Sequence, residues 1–237
     1  MVNIFRAEFI KNKRSSILWL HLFALVAFPI ILGVYYGVHV RCTAQIAVKM
    51  YYQLVSLMTP LVISIIITIV NKRESKAGHF KNLISVPTRK ERMLNEQLFF
   101  YIVLYLIVIL GSSIIYWGVF SKLSGGFLLK GIVISLFMWI LSISQYEIYR
   151  IIAYVFSNGI TLLLGIIGSF TAVLGNTVLF DKFWFLIPWI WQGRLAVFYS
   201  QAVPVSILKM YAMQYILCLI ITLFIYIVSN VIFKKKN

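Results

Sequence analysis

The chain has 237 residues, of which 62% are hydrophobic and 12% charged, and its formal net charge is +16. Soluble domains contain roughly 45–50% apolar residues, so this composition excludes an ordinary soluble domain and indicates a protein that crosses a membrane several times. We interpret the positive charge as a signal of membrane topology and of contact with anionic lipids, which gives nucleic-acid binding little support.

Six apolar runs are long enough to cross a bilayer, which requires about 20 residues per helix. They cover residues 17–37, 51–70, 97–119, 131–156, 160–180 and 210–233. A transmembrane barrel would instead alternate apolar and polar residues in segments of about 10, and the sequence lacks that alternation. We therefore predict an all-α polytopic membrane protein with six transmembrane helices in a single domain, residues 1–237.

Residues 1–14 carry four basic side chains ahead of the first span, and no small-residue cleavage site follows them. A cleavable signal peptide is therefore not expected, and the first span should stay as an anchor. The segment either lies as a short helix along the membrane surface, with Val2, Phe5 and Phe9 towards the lipid, or is simply the positive flank of the first span.

Basic residues are unequally divided between the two sides of the predicted spans. Four precede the first span, seven lie between the second and third spans, and three end the chain, whereas the loops on the other side hold seven in all. Because Lys and Arg accumulate in cytoplasmic loops, we expect both the N and C termini and the loop between spans two and three to be cytoplasmic.

A short amphipathic helix is predicted at residues 75–85, in that loop. Its apolar side chains lie on one stripe, at Ala77, Phe80, Leu83 and Ile84, and mostly polar or basic side chains cover the rest of its surface. Such a helix can dock in the groove of a soluble partner or can lie on lipid headgroups. Composition alone does not separate these two roles.

The residues after this helix predict where it ends and where the next one begins. Pro87 ends it, because proline has no N–H to donate within a helix. Thr88 and Glu91 have the T-x-x-E spacing of a capping box, so the next helix should begin near Arg89 and continue into the third span.

The fourth span contains three polar side chains, Gln145, Glu147 and Arg150. Charged groups are costly inside a membrane and normally face a partner or a wet cavity. Glu147 and Arg150 are three residues apart, so they can pair on one helix face. We favour a structural ion pair, with a role in a substrate path as the alternative.

Small residues recur along one face of the fifth span, at Gly165, Gly168, Ser169 and Ala172. Small side chains allow membrane helices to approach closely. This pattern predicts close packing, either within the bundle or across a dimer.

Residues 181–209 form a long loop before the last span, and aromatic side chains are frequent in it. Because aromatic rings favour the membrane interface, we expect this loop to be partly re-entrant or to form short helices on the outer surface. Trp184, Trp189 and Trp191 either contact a substrate there or anchor spans five and six as an aromatic belt.

Sequence signatures of nucleotide, metal or catalytic sites are missing. The chain has no G-x-x-x-x-G-K-[ST] phosphate loop, and the Leu-Ser-Gly-Gly string at residues 123–126 is better explained as a turn between spans. The three histidines are scattered, and Cys42 and Cys218 are expected to be free thiols. We therefore predict no catalytic residue, no metal site and no cofactor in this chain, and no enzyme activity of its own.

The six-span plan, an E-x3-G-x4-L-x3-P-x-R spacing in the loop and the polar stretch at residues 145–158 together resemble the permease subunits of type-2 ABC transporters. More narrowly, they are similar to the lantibiotic-immunity permeases of Gram-positive bacteria, whose size class the chain fits. The spacing is formed by Glu74, Gly78, Leu83, Pro87 and Arg89.

This resemblance implies a location in the plasma membrane of a Gram-positive bacterium and a set of partners. Two permease subunits, often non-identical, would pair with two copies of a separate ATPase that binds ATP and Mg²⁺. The complex would expel an amphipathic antimicrobial peptide and so protect the producing cell.

The resemblance also assigns roles to residues. The helix at residues 75–85 would be the coupling helix that docks in the ATPase groove. The candidate docking residues are Glu74, Gly78, Phe80, Leu83 and Ile84.

Three other functions remain open at this point. The chain could be an ABC permease for another amphipathic drug or lipid, or a passive immunity or sensor protein that binds the peptide through residues 181–209 without ATP. A membrane-embedded enzyme is the third. It is disfavoured because the chain has six acidic residues and only Glu147 lies deep in a span.

Overall fold

The computed structural model describes residues 2–13, 15–38, 43–76, 90–124, 128–200 and 205–235. These residues form helices joined by turns, without a strand. The helices are α1 (Val2–Asn12), α2 (Ser16–Leu22), α3 (Phe28–Val38), α4 (Ala44–Lys76), α5 (Lys90–Ser124), α6 (Leu128–Val155), α7 (Asn158–Leu174), α8 (Trp191–Ser200) and α9 (Val205–Lys235).

Among the described residues, five helices are long and apolar enough to cross a membrane, namely Ser16–Val38, Gln45–Lys76, Met93–Ser121, Gly131–Val155 and Lys209–Lys234. α7 is apolar but has 17 residues, at the lower limit of the roughly 17–25 residues found in spanning helices. The predicted all-α fold is confirmed, and the structure supplies five of the six predicted spans.

The first span is one apolar rod in which a π-helical turn, Phe23–Ala27, joins α2 to α3. The N–H of Phe28 donates to the carbonyl of Phe23, five residues earlier, in place of the usual bond four residues back. Such a turn inserts one extra residue and alters the direction of the side chains around it.

The helix that contains the predicted second span, residues 51–70, is longer than the span itself. α4 continues to Lys76. Arg73 and Glu74 remain in the helix because both side chains find partners of opposite charge inside the protein.

α7 ends at Leu174, six residues before the end of the apolar run from which the fifth span, residues 160–180, is predicted. Arg194 donates to the carbonyl oxygens of Gly175 at 2.6 Å and Thr177 at 2.8 Å. The carbonyls beyond the helix end are therefore satisfied by a side chain, and the chain turns away.

α4 lies at the centre of the bundle and packs against α6, α7 and α8. The small face of α7 makes this possible. A Cβ atom on Gly165 would overlap the side chain of Ser64, and one on Gly168 would lie 2.6 Å from Cδ1 of Trp189. The predicted close packing of the fifth span is confirmed, and it occurs within the bundle.

After α7 the chain folds back into the bundle through a re-entrant segment, residues 184–200. Gln145 donates to the carbonyl of Pro188 at 3.2 Å, and Gln192 donates to the carbonyl of Met138 at 2.7 Å. Both partners on α6 lie well inside a spanning helix. Irregular backbone at such depth requires hydrogen-bond partners within the protein, and Gln145 supplies one.

Candidate functional site: a polar network below the basic loop

α1, the C-terminal end of α4 and the N-terminal end of α5 meet at one end of the bundle, which we call the basic end. Residues 77–89 connect α4 to α5 there and lie outside the described residues. The predicted helix at residues 75–85 therefore falls mostly outside them, apart from Ser75 and Lys76, which are the last residues of α4. Lys90 is the first described residue of α5, and the predicted capping residue Thr88 lies outside the described residues, so the capping box stays a prediction.

Glu8 of α1 is the centre of a buried network at the basic end, with 2% of its surface exposed. Its Oε2 accepts hydrogen bonds from Arg73 at 2.7 Å and from the Tyr101 hydroxyl at 3.1 Å. Its Oε1 accepts from Lys11 and from Gln97, both at 3.0 Å. A buried carboxylate is stable only when it is paired and hydrogen-bonded in this way.

Glu74 of α4 is the second acid of the network and is 4% exposed. Its Oε1 accepts hydrogen bonds from Lys11 at 2.9 Å and from Gln97 at 3.2 Å. Lys11 and Gln97 thus each bridge Glu8 to Glu74, and they join α1, α4 and α5 at one point.

Lys11 is half-exposed and still strongly coupled to this pair of acids. Burial by itself would lower the pKa of Lys11, but hydrogen bonding to Glu74 and the charge of Glu8 act the other way and raise it above the ordinary value. The ammonium group therefore stays charged throughout the physiological pH range.

Asn12 and Tyr101 complete the network on its apolar side. Asn12 Nδ2 donates to the Tyr101 hydroxyl at 3.0 Å, and Asn12 Oδ1 accepts from Arg73 at 3.2 Å. These bonds hold the end of α1 against α4 and α5.

A second polar cluster surrounds the ion pair predicted in α6. Arg150 lies 2.6 Å from Glu147, and it also donates to Asn95 of α5 and Ser229 of α9, both at 2.8 Å. The guanidinium carbon of Arg150 lies 4.7 Å from the centre of the Phe233 ring. The pair joins α6 to both neighbours, in agreement with a structural role.

A small cavity of about 40 Å³ separates the two clusters. Glu74, Gln97 and Tyr101 line one side of it, and Arg150 and Phe233 line the other. α5 contributes side chains to both clusters. It therefore links the network beside residues 77–89 to α6 and α9.

Of the five candidate docking residues, one lies in the described part of the chain and four lie outside it. Glu74 is described, and its side chain points into the network rather than to the surface. Gly78, Phe80, Leu83 and Ile84 lie outside the described residues. Docking of an ATPase by these residues stays a prediction.

The three candidate tryptophans lie inside the bundle. Trp184 is 2% exposed and packs on Tyr215, with 5.2 Å between ring centres, while Trp191 is fully buried. Trp189 is partly buried and donates to the Tyr149 hydroxyl at 2.7 Å. They hold the re-entrant segment in place, and contact with a substrate stays a prediction.

Sequence reasoning missed most of the network, namely Glu8, Lys11, Asn12, Arg73, Gln97 and Tyr101. One signal was available, because Glu8 is the only acidic residue before Glu74 and lies in a basic segment. Among the described residues, no three His, Cys, Asp or Glu side chains come together as a metal site requires.

The polar network joins α1, α4 and α5, and the comparison with known sequences covers the same helices. The family described as ABC-2 family transporter protein matches residues 4–168, more than two thirds of the chain. The chain belongs to the ABC-2 family of transporter proteins. It is therefore the multi-pass membrane component of an ABC transporter, a permease, and the ABC-2 family implies pairing with an ABC ATPase.

The matched residues include both polar clusters except for the side chains contributed by α9, and they end within α7. The re-entrant segment lies beyond the matched region. No curated protein and no solved structure matches the chain significantly.

Proposed function

We propose that this ABC-2 permease belongs to an exporter that expels a membrane-active peptide and so protects the producing cell. The observation that carries the transport part is the network of Glu8, Lys11, Arg73, Glu74 and Gln97 directly beside residues 77–89. Through this network, the loop that contacts the ATPase is rigidly connected to three helices.

Coupling works through this connection. The helix at residues 75–85 docks on the ATPase, with Phe80, Leu83 and Ile84 as apolar anchors and Gly78 allowing close approach. ATP-driven displacement of the loop is transmitted to α4, which precedes the loop in the chain, and to α5, which follows it. Because Arg73 and Lys11 tie α4 to α1, and Gln97 ties α5 to Glu8 of α1, the group moves as a body.

In this proposal all six apolar helices cross the membrane and both termini are cytoplasmic. Support for the sixth span is the length of α7, 17 residues, within the roughly 17–25 of known spans. A membrane-impermeant thiol reagent tests the orientation on intact cells. It should label Cys42 and spare a cysteine introduced by Ser75→Cys, and the opposite pattern would contradict the orientation.

ATP hydrolysis takes place in a separate partner, and this chain binds no cofactor and catalyses no reaction. The absence of a phosphate loop from the sequence supports that division. Two ATPase copies bind ATP and Mg²⁺, and a second, non-identical permease completes the complex in the plasma membrane of a Gram-positive bacterium. Support for these subunits is the resemblance to lantibiotic-immunity permeases.

The same resemblance supports a peptide substrate. Other amphipathic drugs or lipids suit the same transport mechanism, and a passive peptide-binding immunity protein would need no ATP. The exposed apolar side chains of α7 and α9 fit contact with any membrane-dissolved substrate.

One experiment separates these functions. The permease is expressed with its partner ABC ATPase, either wild-type or with the catalytic Glu of the ATPase changed to Gln, and growth is measured in the presence of a lantibiotic. Active peptide export predicts resistance only with the wild-type ATPase. Equal resistance with both ATPases indicates passive binding, and no resistance combined with transport of a drug or lipid indicates another substrate.

A further inference from the structure

α1 presents apolar side chains to its surroundings and polar side chains to the protein. Glu8 and Asn12 are buried, with 2% and 5% of their surfaces exposed, whereas Phe9 and Ile10 are 64% and 62% exposed. A helix on the surface of a soluble domain has the opposite arrangement, with its apolar stripe towards the core. The outward side of α1 therefore suits an apolar partner better than it suits water.

The network at the basic end fixes which side of α1 points outwards. Glu8 accepts a hydrogen bond from Arg73 at 2.7 Å, and Asn12 donates to the Tyr101 hydroxyl at 3.0 Å. Glu8 and Asn12 are four residues apart, so they lie on one side of the helix. Because both side chains are bound to other helices, α1 is not free to rotate about its axis, and the opposite side stays outward.

That side also carries two exposed basic residues, Arg6 and Lys13. Together with Phe9 and Ile10 they have the i, i+3, i+4, i+7 spacing of a single helix face, and we call these four residues the outer face of α1. Lys13 continues the helical turn, because its N–H donates to the carbonyl of Phe9 at 3.1 Å. In the described part of the chain, neither basic side chain pairs with an acid.

The connection to the first span places this face at the membrane surface. The span begins at Ser16, and three residues of extended chain reach at most about 11 Å, so Lys13 lies close to that point. Trp19 is 74% exposed about one turn into the span, and exposed Trp side chains favour the level of the lipid headgroups. The outer face of α1 therefore lies beside the headgroups.

The occupant must suit two apolar side chains and two positive charges at once. Phe9 and Ile10 can insert among acyl chains, and the long stems of Arg6 and Lys13 allow their charges to reach the headgroups above. A zwitterionic lipid gives these charges no net counter-charge, whereas an anionic phospholipid does. Glu8, the acid of α1, is buried and paired, so no exposed carboxylate of this helix repels an anion.

We propose that the outer face of α1 is a binding site for anionic phospholipids. Arg6 and Lys13 bind the headgroup phosphates, and Phe9 and Ile10 lie among the upper parts of the acyl chains. The site goes beyond the proposed peptide export and requires no ATP, ATPase or second permease. It depends only on the location of the chain in a membrane, which follows from its family.

A fluorescent probe at position 10 tests the site in the purified full chain, reconstituted in nanodiscs of zwitterionic and anionic phospholipid. Cys42 and Cys218 are changed to Ser, and Ile10→Cys is labelled with a small fluorophore. Acyl-chain nitroxides, which quench nearby fluorophores, are placed on one lipid or the other. The anionic lipid should quench more strongly at equal mole fraction. Its relative affinity should fall roughly 5-fold with each of Arg6→Gln and Lys13→Gln.

Two controls separate this site from the general attraction of a chain with a net charge of +16. The pair Lys182→Gln and Lys209→Gln removes two exposed basic side chains elsewhere and should leave quenching at position 10 unchanged. A probe on Leu163→Cys, 57% exposed on the uncharged helix α7, should be quenched equally by both lipids. Unchanged quenching at this second position also shows that the α1 variants are still folded.

Equal quenching of the position 10 probe by both lipids would overturn the proposal, and so would an equal loss of preference in the lysine control. Quenching by aqueous iodide, without quenching by either lipid, would also overturn it and would assign the face to water or to a soluble partner such as the ATPase. These outcomes are independent of peptide export, which is measured as resistance in cells that contain the ATPase.

Discussion

Arg73 Nη2 lies 2.7 Å from Glu8 Oε2, although the two residues are separated by 65 positions in the chain. Glu8 is buried, and 23% of the Arg73 side chain is exposed. This ion pair fastens the N-terminal helix to the end of α4, directly before residues 77–89. Together with the Lys11–Glu74 pair, it connects α1 to the helix that leads into residues 77–89.

Glu8→Gln should destabilise the protein by about 2 kcal/mol or more, because it removes the buried carboxylate with which Arg73 pairs. Thermal unfolding of the purified protein measures the effect. Arg6→Gln on the exposed part of the same helix is the control and should change stability little. If the two ions act as a pair, the effects of Glu8→Gln and Arg73→Gln will be less than additive in the double variant.

The raised pKa of Lys11 predicts how the stability of the folded protein depends on pH. Its pKa is raised in the folded protein, so its contribution is fully present below the unfolded pKa of about 10.4 and is lost as pH rises through the folded value. The difference in melting temperature between wild type and Lys11→Gln should be constant from neutral pH to about pH 10 and should shrink above it. A difference that grows with alkaline pH would contradict the assignment.

Two glycines in apolar helices should respond oppositely to alanine. Gly165→Ala places a Cβ atom against Ser64, whereas Gly118 has nothing within 4 Å of the corresponding position. We expect Gly165→Ala to cost about 1–3 kcal/mol through overpacking and Gly118→Ala to be neutral or to stabilise the helix by up to about 1 kcal/mol. The melting temperature of each variant is compared with that of the wild type. Equal shifts in the two variants would refute close packing of α7 on α4.

Phe80→Ala combined with Leu83→Ala should release the ATPase, since truncation of a buried anchor typically costs about 2 kcal/mol or more at an interface. This prediction depends on the sequence pattern, because both residues lie outside the described part of the chain. Co-purification of the ATPase is measured alongside membrane abundance, with His79→Ala as the control. Undiminished co-purification of the double variant would show that the stripe lies on lipid instead.

The fold class and most helices could be predicted because apolar runs of spanning length are a strong signal in one dimension. The Glu147–Arg150 pair and the small face of α7 were also predictable, since both depend on spacing within a single helix.

The network at the basic end was not predictable from local spacing. Glu8, Arg73 and Gln97 come from three helices that are distant in the chain, and charged residues near span ends normally remain in water. The position of the re-entrant segment in the bundle was not predictable for a similar reason. Its aromatic residues are typical of a membrane surface, while its place in the bundle depends on Gln145, which lies on another helix.

The central position of α4 has a consequence for synthesis, because the partners α6, α7 and α8 are made later than α4 itself. Two of its hydroxyl side chains, those of Ser56 and Ser64, do not depend on those partners, whereas the Tyr52 hydroxyl donates to the carbonyl of Gly131 on α6 at 2.8 Å. Ser56 donates to the carbonyl of Gln53, and Ser64 donates to that of Leu61, both at 2.8 Å. α4 therefore enters the lipid with these polar groups already satisfied by its own backbone, and it can wait there until the helices that surround it emerge from the ribosome.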